Sequence, residues 1–185
     1  LLFINLITDS LPAIAIGMEK SKKDVLNDKP RNSKESILTK DFLISITVQG
    51  LIIGIFTMIA YHIGLGQGSV ETAMTMAFST LCIARLFHGF NCRGKKSLFS
   101  IGLFRNRFSW MAFGIGIILV NAVLFVPGLQ GLFQVESLPI KNIIIVHVLA
   151  FIPTVIIQCV KVIRDVIENK DKIILKDSNC LNIKW

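Results

Sequence analysis

The sequence predicts an all-α, polytopic membrane bundle of about five transmembrane helices. Three observations lead there. Hydrophobic residues make up 52% of the 185-residue chain and charged residues only 17%, whereas soluble domains carry about 25% charged residues. Mean hydropathy is +0.65. The apolar residues are also gathered into runs approaching the ~20 residues that a helix needs to cross ~30 Å of hydrocarbon.

The first run, 1–17, reads as a spanning helix with a truncated start, because Leu1 already lies inside an apolar segment with no initiator Met and no polar flank. This suggests a piece of a longer chain. There is no signal-peptide layout. Residues 42–63 form the clearest span, 22 residues without a formal charge. Residues 72–91 form the third, with Arg85 as the one charge inside it. Spans four and five are 109–126 and 140–160, the latter uncharged from Asn142 onward.

The loops orient these spans. The 18–41 loop holds seven Lys/Arg, the 92–108 loop five and the 161–185 tail six, while the two alternate loops hold none. By the positive-inside rule the basic segments are cytoplasmic, the C-terminus included. The net charge of +8 is therefore a topology signal, and nucleic acid is not the expected partner; the lipid bilayer is. The four cysteines form no C-x-x-C pair and read as reduced packing residues. His62, His88 and His147 lie in different spans without ligand spacing. No nucleophile–His–acid set, phosphate-cradling glycine loop or Walker motif is present, so no catalytic centre is expected.

Four features remain inside the apolar runs. In "NLITDSLPA", Asn5, Thr8 and Asp9 are spaced i, i+3, i+4 and share one helix face. Pro12 has no N–H for the Thr8 carbonyl, so a helix break is expected there. An amide, a hydroxyl, a carboxylate and a loosened carbonyl are hard oxygen ligands of the kind that Ca²⁺ prefers, and a carboxylate at membrane depth is a functional hypothesis by default. The alternative is that Asp9 sits near an interface and caps a helix restarting at Ser10. Arg85 either snorkels toward the basic end or faces a carboxylate such as Asp9. Gly50 and Gly54 form a G-x-x-x-G that would admit a close helix neighbour. Gln49, Asn121 and Gln158 are polar groups able to join helices.

The stretches "LLFINLITDSLPAIAIGMEK", "KPRNSKESILT" and "IPTVIIQCVKVIRD" resemble the C-terminal membrane region, helices six to ten, of P-type cation-transporting ATPases, and among them the calcium pumps. In that family the sixth helix carries N-L-x-T-D-G-L-P-A; Ser10 departs from it at the glycine. The resemblance implies that Asn5, Thr8 and Asp9 are ligands of a transported Ca²⁺. Arg85 falls near the position where two-ion reticulum calcium pumps have a carboxylate, which implies that its charge replaces a second ion and that one Ca²⁺ moves per cycle. ATP and Mg²⁺ would act only through phosphorylation, nucleotide-binding and actuator domains upstream, so this segment alone would not be catalytic. Its partners would be the upstream helices and cytoplasmic domains of the same pump, and its location the plasma membrane. A fragment of a secondary transporter or channel with a broken helix, or a non-transporting scaffold in which Asp9 and Arg85 only fix packing, are the competing readings.

Overall fold

The computed structural model describes the backbone of residues 2–19 and 38–181 and the side chains of residues 8–19 and 38–170. Seven helices follow in order: α1 (Leu2–Gly17), α2 (Lys40–Leu65), α3 (Val70–Asn91), α4 (Leu98–Ile101), α5 (Arg107–Phe125), α6 (Pro127–Phe133) and α7 (Ile140–Leu181). No strand occurs among the described residues. Four helices, α2, α3, α5 and the Ile140–Lys170 part of α7, are long and apolar enough to cross a membrane. The first expected span, α1, has 16 residues in its described part.

Polar residues placed just before the apolar runs start the helices. The Thr39 hydroxyl accepts from the Phe42 amide, Ser69 from Thr72 and the Asn106 side chain from Phe108 and Ser109. Each satisfies an amide that a helix start leaves without an internal partner. The α2–α3 turn closes through Gly68, whose φ of 91° is open to glycine at little cost.

The least apolar span, α3, is the centre. It packs against α1, α2, α5 and α7, and Met76, Ile83 and Leu86 on it are fully buried. Its small residues explain this position. In lipid there is no hydrophobic drive between helices, so helices meet where small side chains let backbones approach. A Cβ on Gly64 of α2 would lie 2.6 Å from the Ala73 Cα of α3, and one on Gly89 of α3 would lie 3.1 Å from the Pro12 Cβ of α1. The Ser79 hydroxyl is satisfied within α3 by the Thr75 carbonyl at 2.7 Å.

Two expectations change. The connection before α7 contains the short helix α6, begun by Pro127 and tied down by the Gln130 side chain, which donates to the Leu124 carbonyl at 2.6 Å. The segment from 161 onward continues α7 to Leu181, giving a helix of 42 residues and about 63 Å in length, roughly twice the hydrocarbon thickness. No Gly or Pro interrupts it after Pro153, and Lys161/Asp165 and Arg164/Glu168 supply opposite charges at i, i+4 spacing. A Cβ at Gly50 or Gly54 would meet nothing within 4 Å among the described residues, so both positions are open to a further neighbour.

The polar links sort the two ends of the bundle. At one, Gln67 and Asn142 exchange side-chain hydrogen bonds at 3.1 and 2.8 Å, and the Thr75 hydroxyl accepts from the Glu136 amide at 2.9 Å. At the other, the α3–α5 connection with its basic residues meets the end of α1 and the middle of α7.

Candidate functional site

The face of α1 that carries the motif turns partly into the bundle. Thr8 is buried, with 2% of its surface exposed. Asp9 beside it is half exposed, and its Oδ2 lies 3.3 Å from Nη2 of Arg85 on α3. Of the two dispositions open to Arg85, this is the one facing the carboxylate. Asn5 lies in α1, but its side chain is outside the described residues.

The helix runs through Pro12 without a break, which corrects the expected interruption. A proline in a helix interior removes one hydrogen bond and crowds the preceding turn, yet the turns on both sides keep theirs. The pyrrolidine ring fits against Gly89, where no side chain competes for the space. Having no N–H, Pro12 donates nothing to the Thr8 carbonyl. The chemistry gathered here is thus a hydroxyl, a carbonyl and a carboxylate on one helix, with a fixed guanidinium opposite. Among the described residues no cluster of three or more His, Cys, Asp or Glu side chains is placed to hold a metal ion.

A second polar centre, with no signature in the residue pattern, fixes the far end of α1. The guanidinium of Arg93 is fully buried and grips Glu19, Nε and Nη2 each donating at 2.9 Å to a carboxylate oxygen. Its remaining donors reach the Leu103 and Gly102 carbonyls at 3.1 and 3.2 Å. Asn106 joins in, donating to Glu19 at 2.8 Å and to the Ala15 carbonyl at 2.7 Å. The Arg93 hydrogen bonds hold the Glu19 carboxyl below its ordinary 4.5, burial opposing them and Asn106 assisting. In sequence Arg93 looks like any other basic loop residue.

The polar residues picked out as helix joiners divide. Gln158 of α7 donates to the Asn91 side chain at the end of α3 and accepts from the Leu98 amide of α4 at 3.0 Å. Asn121 of α5 lies 3.4 Å from the His147 ring of α7. Gln49 bonds within its own helix, to Ser45 at 2.7 Å. Next to Gln158, Lys161 donates to the Asn91 and Gly94 carbonyls, both at 2.6 Å. Asp165 accepts from the Ser97 amide and hydroxyl at 2.9 and 2.6 Å. Cys82, Cys92 and Cys159 are free thiols; the side chain of Cys180 lies outside the described residues.

Known proteins share this segment. A calcium-transporting ATPase of Bacillus cereus is 33% identical over 184 residues, covering 89% of this chain and 20% of that protein. One from Listeria monocytogenes is 36% identical over 171 residues, covering 89% of this chain and 19% of its own length. The human calcium-transporting ATPase type 2C member 1 is 36% identical over 146 residues, covering 78% and 16%. The chain thus spans about one fifth of the length of the curated relatives it matches. The profile of the family described as "Cation transporting ATPase, C-terminus" matches residues 1–163. With that match over most of its length, the chain belongs to the cation-transporting ATPase C-terminal family.

Proposed function

We propose that this chain is the C-terminal membrane part of an ATP-driven pump that exports Ca²⁺ from the cytoplasm, and that α1 supplies part of the ion's intramembrane site. Asn5, Thr8 and Asp9 are the ligands in this reading, with the Thr8 carbonyl, to which Pro12 donates nothing, beside them. Pumping needs ATP and Mg²⁺ handled by other domains of the same protein. The basic end of the bundle faces the cytoplasm, in the plasma membrane.

The observation that carries the reading is the Asp9–Arg85 pair on a helix bearing N-L-I-T-D-S-L-P-A. A guanidinium beside the site carboxylate supplies a positive charge that a second cation would otherwise bring, and it disfavours that cation by like-charge repulsion. One Ca²⁺ per cycle follows. The names of the relatives support Ca²⁺ as the cargo.

The same pair also suits a purely structural role for Asp9, and one experiment separates the two. In the complete pump, Asp9→Asn abolishes ATP-driven Ca²⁺ uptake into inside-out vesicles while the protein still assembles in the membrane. Unchanged uptake leaves Asp9 only its packing role. Counting Ca²⁺ bound per phosphorylated protein gives one; a value of two removes the role assigned to Arg85.

A further inference from the structure

A groove opens at the basic end of the bundle, between α2 and its neighbours α7 and α3. Between α2 and α7 its walls are aliphatic: Ile44, Val48 and Ile52 on one side, Ile157 and Val160 on the other, around a space of about 460 Å³. It continues between α2 and α3 as a larger space of about 930 Å³. Both are within the usual size of small-molecule sites, ~300–1,000 Å³. Its lining carries four cations, Lys95, Lys161 and Arg164 at the mouth and Arg85 about two turns deeper on α3, against one carboxylate, Asp41. We propose that this groove binds one anionic phospholipid, its phosphate held by Lys95, Lys161 and Arg164 and an acyl chain lying along the α2–α7 wall.

Each part of the groove fits that occupant. The Lys161 ammonium has three N–H donors. Two are spent on the Asn91 and Gly94 carbonyls, which fix it in place and leave the third for an anion. Arg164 is one turn further along α7 and shares that face. Neither Arg164 nor Lys95 has a carboxylate partner among the described residues. The amides of the first turn of α2 add partial positive charge beside Asp41, because the Thr39 hydroxyl satisfies only that of Phe42.

Charge at the mouth and hydrocarbon below is the pattern of an amphiphile lying at headgroup depth, and basic pockets between membrane helices suit anionic headgroups. A protein helix seated there would instead have to bring a carboxylate to the mouth and an apolar face below it. The walls reach from Asp41 to Ile52, about 16 Å along α2, which is the depth of one leaflet.

The test uses the complete protein containing this chain, purified in nonionic detergent and given dioleoyl phosphatidylglycerol or dioleoyl phosphatidylcholine, with retained lipid counted by native mass spectrometry. The wild type keeps one phosphatidylglycerol in preference to phosphatidylcholine. Removing the two unpaired cations, Lys95→Gln with Arg164→Gln, weakens retention roughly fivefold per residue, about twenty-five-fold together. Val48→Trp, which fills the wall and leaves the charges alone, also displaces the lipid. Equal retention of the two lipids, undiminished retention by either variant, or a wild type that holds no phosphatidylglycerol because another segment of the protein fills the groove, overturns the proposal. Lipid retention is read without transport, so the outcome is independent of which ion the protein carries.

Discussion

Arg93 and Glu19, 74 residues apart in sequence, meet through two hydrogen bonds of 2.9 Å each. The pair fastens the end of the motif-bearing helix to the connection between α3 and α5. Arg93 is fully buried, while Glu19 keeps 18% of its side-chain surface. Removing one partner of such a pair leaves the other charged and poorly solvated. Arg93→Ala should therefore destabilise the protein by about 3 kcal/mol, the lower end of the range for buried pairs because water still reaches Glu19. Thermal unfolding followed by tryptophan fluorescence reads the loss. Arg93→Lys keeps the charge but not the fork, and its Tm should fall between those of Arg93→Ala and wild type.

The same pair sets a pH dependence. The Glu19 carboxyl is held below its ordinary 4.5, first by the Arg93 hydrogen bonds. A carboxyl whose folded value is depressed binds its proton more readily in the unfolded chain. Its stabilising contribution is complete above the ordinary value and disappears as pH falls through the depressed one. Unfolding temperature should thus drop below about pH 4.5, and Arg93→Ala should flatten that part of the profile. An unchanged acid limb in the variant would assign the drop to other carboxylates.

Gln158 links three elements by donating to Asn91 and accepting from the Leu98 amide. Gln158→Leu is close in volume and removes both bonds. Interhelical hydrogen bonds in membranes contribute roughly 0.6–1.7 kcal/mol each, so a loss of about 1–3 kcal/mol is expected. Resistance to unfolding in detergent measures it, and a variant as stable as wild type would mean that Asn91 and Leu98 find other partners.

Much of the fold was legible because bilayer thickness imposes a length. The uncharged run Phe42–Ile63 could be nothing shorter than a span, and α2 extends it by only two residues at each end. Other features depend on which faces meet, and a single sequence does not carry that. Arg85 could snorkel or pair until α1 and α3 were side by side. Arg93 resembled Arg105 until one of them was found buried. Helix α6 is held by a bond from Gln130 back to Leu124, a contact with no periodic signature. The extension of α7 was hidden by its charges, which read as a tail but sit at helix-favouring i, i+4 spacings. Pro12 misled in the opposite direction, since the local rule for proline does not include the glycine that receives its ring.

Among the glycines, Gly64 makes the closest approach to another backbone. A side chain there would strike the Ala73 backbone at 2.6 Å, which no rotamer change can relieve. Gly64→Val should force α2 and α3 apart and destabilise the protein by about 1–3 kcal/mol, read as a lower Tm, whereas Gly50→Ala, which meets no atom within 4 Å, should not lower it.

That contact lies at the end of the bundle opposite the groove. Helix α2 is therefore pinned at one tip and open at the other, like one leg of a pair of compasses with its pivot at Gly64. A rotation of ~10° about that pivot, over the ~36 Å from Gly64 to Lys40, carries Lys40 roughly 6 Å. Whatever occupies the space between α2 and α7 consequently sets where the first turn of α2 stands.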